Sequence, residues 1–323
     1  MSGLLSTVGV GEESAWGTKV TPTRWFELVS EGVKIDPRRI DAAGMRGVRW
    51  KRQDRSVPWI AGAGGDLNLE LLSRGLGLLF KHMLGAVSTT GPTDSAYSHV
   101  FTIGTLLGKG LTYQARLPYD LDSAVAPKTA WGGKITAWEI ACQAGGAVTI
   151  KLTFDFKAGD HSTAATSVTY TTSPELLTFV SGSLSIASQA VPVKSWRVAG
   201  INPVKPDLYY IGGSKGEQDE IAARSITWAC ELNWSDLTQQ NRVLSATAAG
   251  MYAQIDIATS GLVNIGAGST KPSLTISLPY ARFDDGTPTV GGPDLITQPL
   301  SGEAHGSDSS PIILTYVTAD ATP

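Results

Sequence analysis

The chain has 323 residues, 42 % of them hydrophobic, which is enough for a sizeable core and excludes wholesale disorder. Lys and Arg number 26 against 29 Asp and Glu, and only 17 % of residues are charged, against a norm of roughly 25 %. With 36 Gly and 17 Pro, the composition favours many short strands and turns over a helical bundle, and a surface that meets other protein.

At roughly 100–200 residues per domain, the length suggests about two domains or one large β domain. The start carries no basic n-region and no apolar run of signal-peptide length. The most apolar window, Leu71–Val87, is broken by Arg74, Lys81 and His82, so no membrane span is expected. Cys142 and Cys230 make neither a disulfide framework nor a metal-ligand spacing, and are expected to be reduced and buried in a cytosolic setting.

In chain order, the first expected strand is Val29–Ile35. It leads into a basic segment in which Lys34, Arg38, Arg39, Arg46, Arg49, Lys51, Arg52 and Arg55 face only Asp36, Asp41 and Asp54. That segment is +5 and leaves −8 on the remainder. A solvated loop, a phosphate-binding patch and a loop docking on the acidic body of a neighbouring copy are the three readings of it. A pI near 5.8 and the lack of a second basic patch favour the last, a head-to-tail contact that yields rings or filaments.

After the glycine cluster Gly62–Gly65 comes a strand, Leu67–Leu71. Leu76, Leu79, Phe80, Met83 and Leu84 then lie at helical spacing, with Gly85 as the C-terminal stop. Further strands are expected at Val100–Ile103, Leu111–Leu117 and Ile135–Cys142, then a Gly145-Gly146 turn and Val148–Phe156. In this last strand Ile150, Leu152, Phe154 and Phe156 share one face, and Thr149, Lys151, Thr153 and Asp155 the other. Residues 159–174, rich in Ser and Thr, read as a linker.

Beyond it the pattern starts again. Leu28-Val29-Ser30 returns as Phe179-Val180-Ser181, Glu70-Leu71 as Glu231-Leu232 ahead of a second helix at Leu237–Ser245, and Leu111-Thr112 as Leu274-Thr275. Ile135-Thr136 returns as Ile296-Thr297 and Leu152-Thr153-Phe154 as Leu314-Thr315-Tyr316. An internal duplication follows: a first unit at 1–158 and a second at 175–323, each strand-rich with one helix.

Catalytic patterns are missing. His82, His99, His161 and His305 are scattered; His82 on its helix and His161 in the linker read as surface residues. Gly212-Gly213-Ser214-Lys215-Gly216 has the spacing of a nucleophile elbow but runs into a polar loop, and Gly104–Gly110 lacks the Ser or Thr of a phosphate loop. Asp284-Asp285-Gly286 reads as a turn after the strand Leu274–Phe283 rather than a calcium loop. Nine tryptophans suit core and interface anchoring, with sugar or base stacking as the other use.

The stretch Val8-Gly9-Val10-Gly11-Glu12-Glu13-Ser14-Ala15-Trp16-Gly17-Thr18 resembles the N-terminal arm of siphophage tail tube (major tail) proteins. So do Phe26–Ile35 with the Arg-rich loop that closes at Gly62–Asp66, and Arg282-Phe283-Asp284-Asp285-Gly286-Thr287-Pro288 with Gly291-Gly292-Pro293-Asp294-Leu295. The resemblance implies a mainly β fold: two tandem β-sandwich or barrel units, each with a flanking α-helix, giving strands to an oligomeric β-barrel around a DNA channel. It implies a non-enzymatic structural virion protein with no cofactor. A trimeric ring with pseudo-sixfold symmetry would stack into the tail tube.

Its partners would be further copies of itself, the tape measure, tail terminator and distal tail proteins, and double-stranded DNA passing without specific binding. No membrane is involved, and assembly would take place in the host bacterial cytoplasm. Arg38, Arg39, Arg46, Arg49, Arg52 and Arg55 are then expected to contact the next ring. Trp16, Thr153, Asp155, Asp284 and Asp285 are expected on the inter-subunit strands and arms. The competing function is a carbohydrate- or receptor-binding β module of a tail fibre or baseplate, with tryptophans as its binding surface.

Overall fold

A computed structural model describes residues 3–119, 124–288, 290, 292–293 and 295–323. The C-terminal motif residues Gly291 and Asp294 lie outside the described residues. The first half runs β1 (Thr7–Glu12), β2 (Arg24–Phe26), β3 (Leu28–Glu31), β4 (Lys34–Asp41), β5 (Ser56–Glu70) and helix α1 (Gly77–Leu84). It continues with β6 (Gly85–Thr93), β7 (Ala96–Ile103), β8 (Leu111–Tyr119), β9 (Ala124–Gln143), β10 (Thr149–Phe156) and β11 (Ala158–Asp160). The second half has β12 (Ser183–Ile186), β13 (Gln189–Ala190), β14 (Val193–Ile201), β15 (Tyr209–Tyr210), β16 (Ser214–Lys215) and β17 (Ser225–Asn233). Helices α2 (Thr238–Val243) and α3 (Ala248–Met251) follow, then β18 (Tyr252–Ser260), β19 (Ser273–Arg282), β20 (Thr297–His305) and β21 (Ile313–Thr318). The fold is mainly β, as expected.

Three antiparallel sheets share all of these strands but β15 and β16, which pair with each other. The largest has the order β3 and β4, β5, β10, β9, β14, β17, β20. A second contains β2, β1, β8, the N-terminal part of β9, and β11. The third runs β6, β7, β21, β19, β18, β12, β13. Two ladders cross between the halves: β9 with β14, and β7 with β21.

Alternation sets the inner faces. Leu67 and Leu69 of β5, Ile150, Leu152, Phe154 and Phe156 of β10, Val198 of β14 and Trp228 of β17 are buried in one continuous core. Each such side chain contributes about 1.5–3 kcal/mol by leaving water. Phe80 of α1 packs edge-on against Phe101 of β7 and Tyr316 of β21, so the core spans both halves.

Helix α1 ends where expected, at Gly85 with φ 101°, a conformation that favours glycine. It is apolar almost all round rather than on one stripe, because β6, β7 and β9 pack about it, and Lys81 alone among its residues escapes burial. The surface position expected for His82 is therefore wrong: the ring is 2 % exposed, with Nε2 3.3 Å from Glu12 Oε1. Burial pushes the imidazole below its usual range. Glu12, hydrogen-bonded by His82 and paired with Lys81 at 2.6 Å, is held down at about 2.

Two strand orders run alike, β1–β8–β9–β11 in the first half and β12–β18–β19–β21 in the second. Likewise β5 beside β10 corresponds to β17 beside β20. The match of Leu111-Thr112 with Leu274-Thr275 therefore slips by one strand, since β8 answers to β18 and β9 to β19. The first half inserts the β6–β7 hairpin after its helix, and the longer connections 283–296 and 306–312 of the second half make up the length. Compensating lengths kept the offset nearly constant while the strands changed partners.

Residues of the expected linker lie along the first half. Ala158–Asp160 pairs with β9, and Gln114 of β8 holds Ala164 O and Thr166 N at 3.0 and 2.8 Å. Both termini also pack on their own chain: β1 lies between β2 and β8, while Asp320 binds Arg74 at 2.9 Å and the Gly75 amide at 2.7 Å.

Candidate assembly surfaces

The outward face of the large sheet carries the alternate residues of its strands, most of them polar, with alanines and the exposed Ile201 among them. Cation and carboxylate meet across neighbouring strands: Lys151 with Asp66 at 3.0 Å, Arg197 with Glu139 at 3.2 Å, and Lys194 with Glu231 at 3.9 Å. Thr153 Oγ1 donates to Asp66 Oδ1 at 2.7 Å, and this bond together with Lys151 lowers the carboxyl below its ordinary range. Glu70 and Glu303 add further negative charge, Glu303 lying 3.5 Å from Arg282. The cations of these three pairs are thus neutralised by carboxylates across the strands, and Lys34 on the edge strand has no ion pair among the described residues.

The Arg-rich segment is a β-hairpin rather than a loop: β4 and β5 pair from Lys34·Gly64 to Asp41·Ser56. Pro37, which lacks an amide donor, sits in the edge strand, where proline is tolerated, beside a register break. Arg38 pairs with Asp36, Lys51 with Asp41 and Arg52 with Asp54. Arg46, Arg49 and Arg55 make no side-chain ion pair among the described residues, and Arg39 donates to the Arg38 carbonyl at 3.0 Å. Between them Ile40, Met45, Val48, Trp50 and Val57 are exposed, Met45 to 99 %. Such mixed apolar and basic projections mark contact sites.

A third feature joins the halves. Residues 202–224, between β14 and β17, fold back on the first half. Lys215 Nζ meets Asp155 Oδ1 at 2.7 Å, and Lys134 Nζ meets Glu217 at 2.7 Å. Gln218 donates to Asp155 Oδ2 at 2.7 Å and accepts from Trp16 Nε1 at 3.0 Å. Asn202 donates to Met83 O and Ile135 O, and Arg224 to Leu84 O and Gly104 O. Burial raises the Asp155 carboxyl above its ordinary range, although Lys215 and Gln218 oppose that. Glu13, buried in the N-terminal motif, accepts from the Gly17 and Gly132 amides at 2.7 Å each and from Thr112 Oγ1 at 2.9 Å. Its run of neighbours showed no periodicity that would place it inside.

Of the expected contact residues, the arginines gather on the hairpin, whereas Trp16, Thr153 and Asp155 have their partners within the chain. Asp284 pairs with Arg282, and the Asp285 backbone bonds Ser301 of β20. Among the described residues, no three His, Cys, Asp or Glu gather as a metal site, and no helix is long and apolar enough to cross a membrane. Trp25, Trp138, Trp196 and Trp228 are core residues, and Trp50 is the one exposed tryptophan.

The family described as phage tail tube protein matches residues 3–304. No curated protein matches the chain.

Proposed function

Since the chain belongs to the phage tail tube protein family, we propose that it is the building block of a siphophage tail tube. Three copies form a ring with pseudo-sixfold symmetry, rings stack, and duplex DNA passes through the lumen. The observation carrying this reading is the family match over residues 3–304, together with one strand plan laid down twice in a continuous antiparallel sheet. The outward face of that sheet, with its cations held by carboxylates, is the channel wall. The protein acts without catalysis, as part of the virion, and its ends of assembly meet the tape measure, terminator and distal tail proteins.

Negative-stain microscopy of the purified protein tests this: hollow filaments of threefold or pseudo-sixfold rings are expected. Discrete particles that bind sugar would favour the fibre or baseplate module instead, a reading that the burial of most tryptophan surface does not support.

In this assembly the Arg-rich hairpin contacts the next ring. Arg49→Glu, Arg52→Glu and Arg55→Glu together reverse three exposed charges without touching the core. Filaments should disappear in sedimentation while the circular dichroism and melting of the subunit stay as in the parent. Normal filaments from this variant would remove the hairpin from ring stacking.

A further inference from the structure

The large sheet ends on β3 and β4 at one side and on β20, with residues 283–287 beside it, at the other. We infer that these two edges join between copies in the register of the internal β9–β14 ladder, so that the base of the Arg-rich hairpin of one copy seats on the second half of the next. The inference rests on the tube reading and adds to it which residues meet.

Four ladders fix the correspondence. On the entering side, Ser30 and Lys34 face Asn68 and Gly64 of β5, while Arg197 and Ile201 face Ala229 and Ser225 of β17. Each pair is four residues apart, and the partners are equivalent by the same shift that relates Glu70-Leu71 to Glu231-Leu232. Gly32 is then the counterpart of Ala199. On the receiving side, Lys134 and Glu139 face Asp155 and Lys151, while Tyr280 and Asp285 face His305 and Ser301. Both ladders take five steps on one strand against four on the other, so both carry the same one-residue bulge. Asp285 is the counterpart of Glu139.

Within the chain Ala199 lies opposite Glu139. Between copies Gly32 therefore lies opposite Asp285, and Ser30 opposite Thr287.

Coverage and charge agree with this. In the first half the receiving surface is closed by residues 202–224, and Lys134 is 2 % exposed beneath Glu217. Its counterpart in the second half, Tyr280, is 44 % exposed. The segment equivalent to 202–224 is the hairpin of residues 35–63, which in its own chain lies against Tyr209 and Gly159, so the hairpin that closes the second-half surface comes from another copy. It brings Lys34, Arg38 and Arg39 towards Asp284, Asp285 and Glu303. Charges of opposite sign meet.

Paired cysteines read the register directly, because residues opposed across antiparallel strands hold their Cβ atoms about 4.5–5.5 Å apart, close enough for a disulfide after small adjustment. A Cβ at Gly32 has room, with nothing nearer than 3.7 Å. The native thiols do not compete: Cys142 and Cys230 are buried, and burial pushes the Cys230 thiol up to about 12. Oxidised Gly32→Cys/Asp285→Cys protein should run as covalent trimer on a non-reducing gel. Each single variant should stay monomeric, and a mixture of the two should stop at dimer. Ser30→Cys/Thr287→Cys, which disturbs different backbone, should behave alike.

Filaments that form normally while both double variants remain uncrosslinked would overturn the register and leave the tube reading standing. Wild-type protein that never self-associates would overturn both.

Discussion

Duplex DNA is expected to bind tubes assembled from an Asp66→Asn, Glu139→Gln, Glu231→Gln chain and to pass freely through the parent tube. The three substitutions remove the partners of Lys151, Arg197 and Lys194 and leave each cation on the outward face of the sheet. On the proposed three-copy ring, every ring then shows nine free cations, and stacked rings repeat them. A protein neutralising 6–10 phosphates loses roughly 10³–10⁵ in affinity between 50 and 200 mM salt. Fluorescence anisotropy of a short duplex present during assembly should therefore report tight binding at about 50 mM salt and release near 200 mM. The subunit should survive, because exposed ion pairs of this kind are worth only about 0–1 kcal/mol each. Variant tubes as indifferent to DNA as the parent would show that this face does not line the channel.

The pairs also explain why the charge of this face could not be read from composition. A net charge of −3 suggests mild repulsion, but what a phosphate meets is set by which carboxylate lies across from which cation. Asp66 and Lys151, or Glu139 and Arg197, become neighbours only when β5, β10, β9 and β14 stand side by side. Local periodicity did carry far elsewhere. The alternation of Thr149–Phe156 gave both faces of β10, and Gly85 marked the end of α1, because each depends on residues a few positions apart. Glu70-Leu71 and Glu231-Leu232 do end strands with comparable neighbours, β5 beside β10 and β17 beside β20, whereas the pairing of the later strands was not legible.

A bulge, an inserted hairpin and a lengthened connection shift register without changing hydrophobic pattern. His82 shows the same limit: a helical stripe says which side is apolar, and only the packing of β6, β7 and β9 says that the other side is covered too.

The largest loss of stability is expected from Lys215→Met, through the clasp between the halves. Lys215 is almost wholly buried, and its ammonium serves both Asp155 oxygens, at 2.7 and 2.8 Å, and the Phe156 carbonyl at 3.0 Å. Methionine keeps most of the volume but leaves the Asp155 carboxylate with Gln218 as its remaining side-chain donor. Breaking a buried pair on one side typically costs about 3–5 kcal/mol. The lower figure applies here, since Asp155 keeps a bond and some access to water. The loss should depend on pH in a definite direction. Burial already raises the folded-state pKa of Asp155 above its ordinary value, and removing the cation raises it further.

A carboxyl with a raised folded-state pKa favours the folded state below its unfolded pKa, near 3.8, and loses that contribution as pH rises through the folded value. The variant should thus stand about 3 kcal/mol below the parent in urea unfolding at pH 7, with the gap narrowing at pH 4. Adding Asp155→Leu should restore much of the stability, because an apolar pair of similar volume leaves no charge to desolvate. A variant as stable as the parent at pH 7, or a gap that widens in acid, would show that the halves are held by their two shared ladders alone and that the clasp adds nothing.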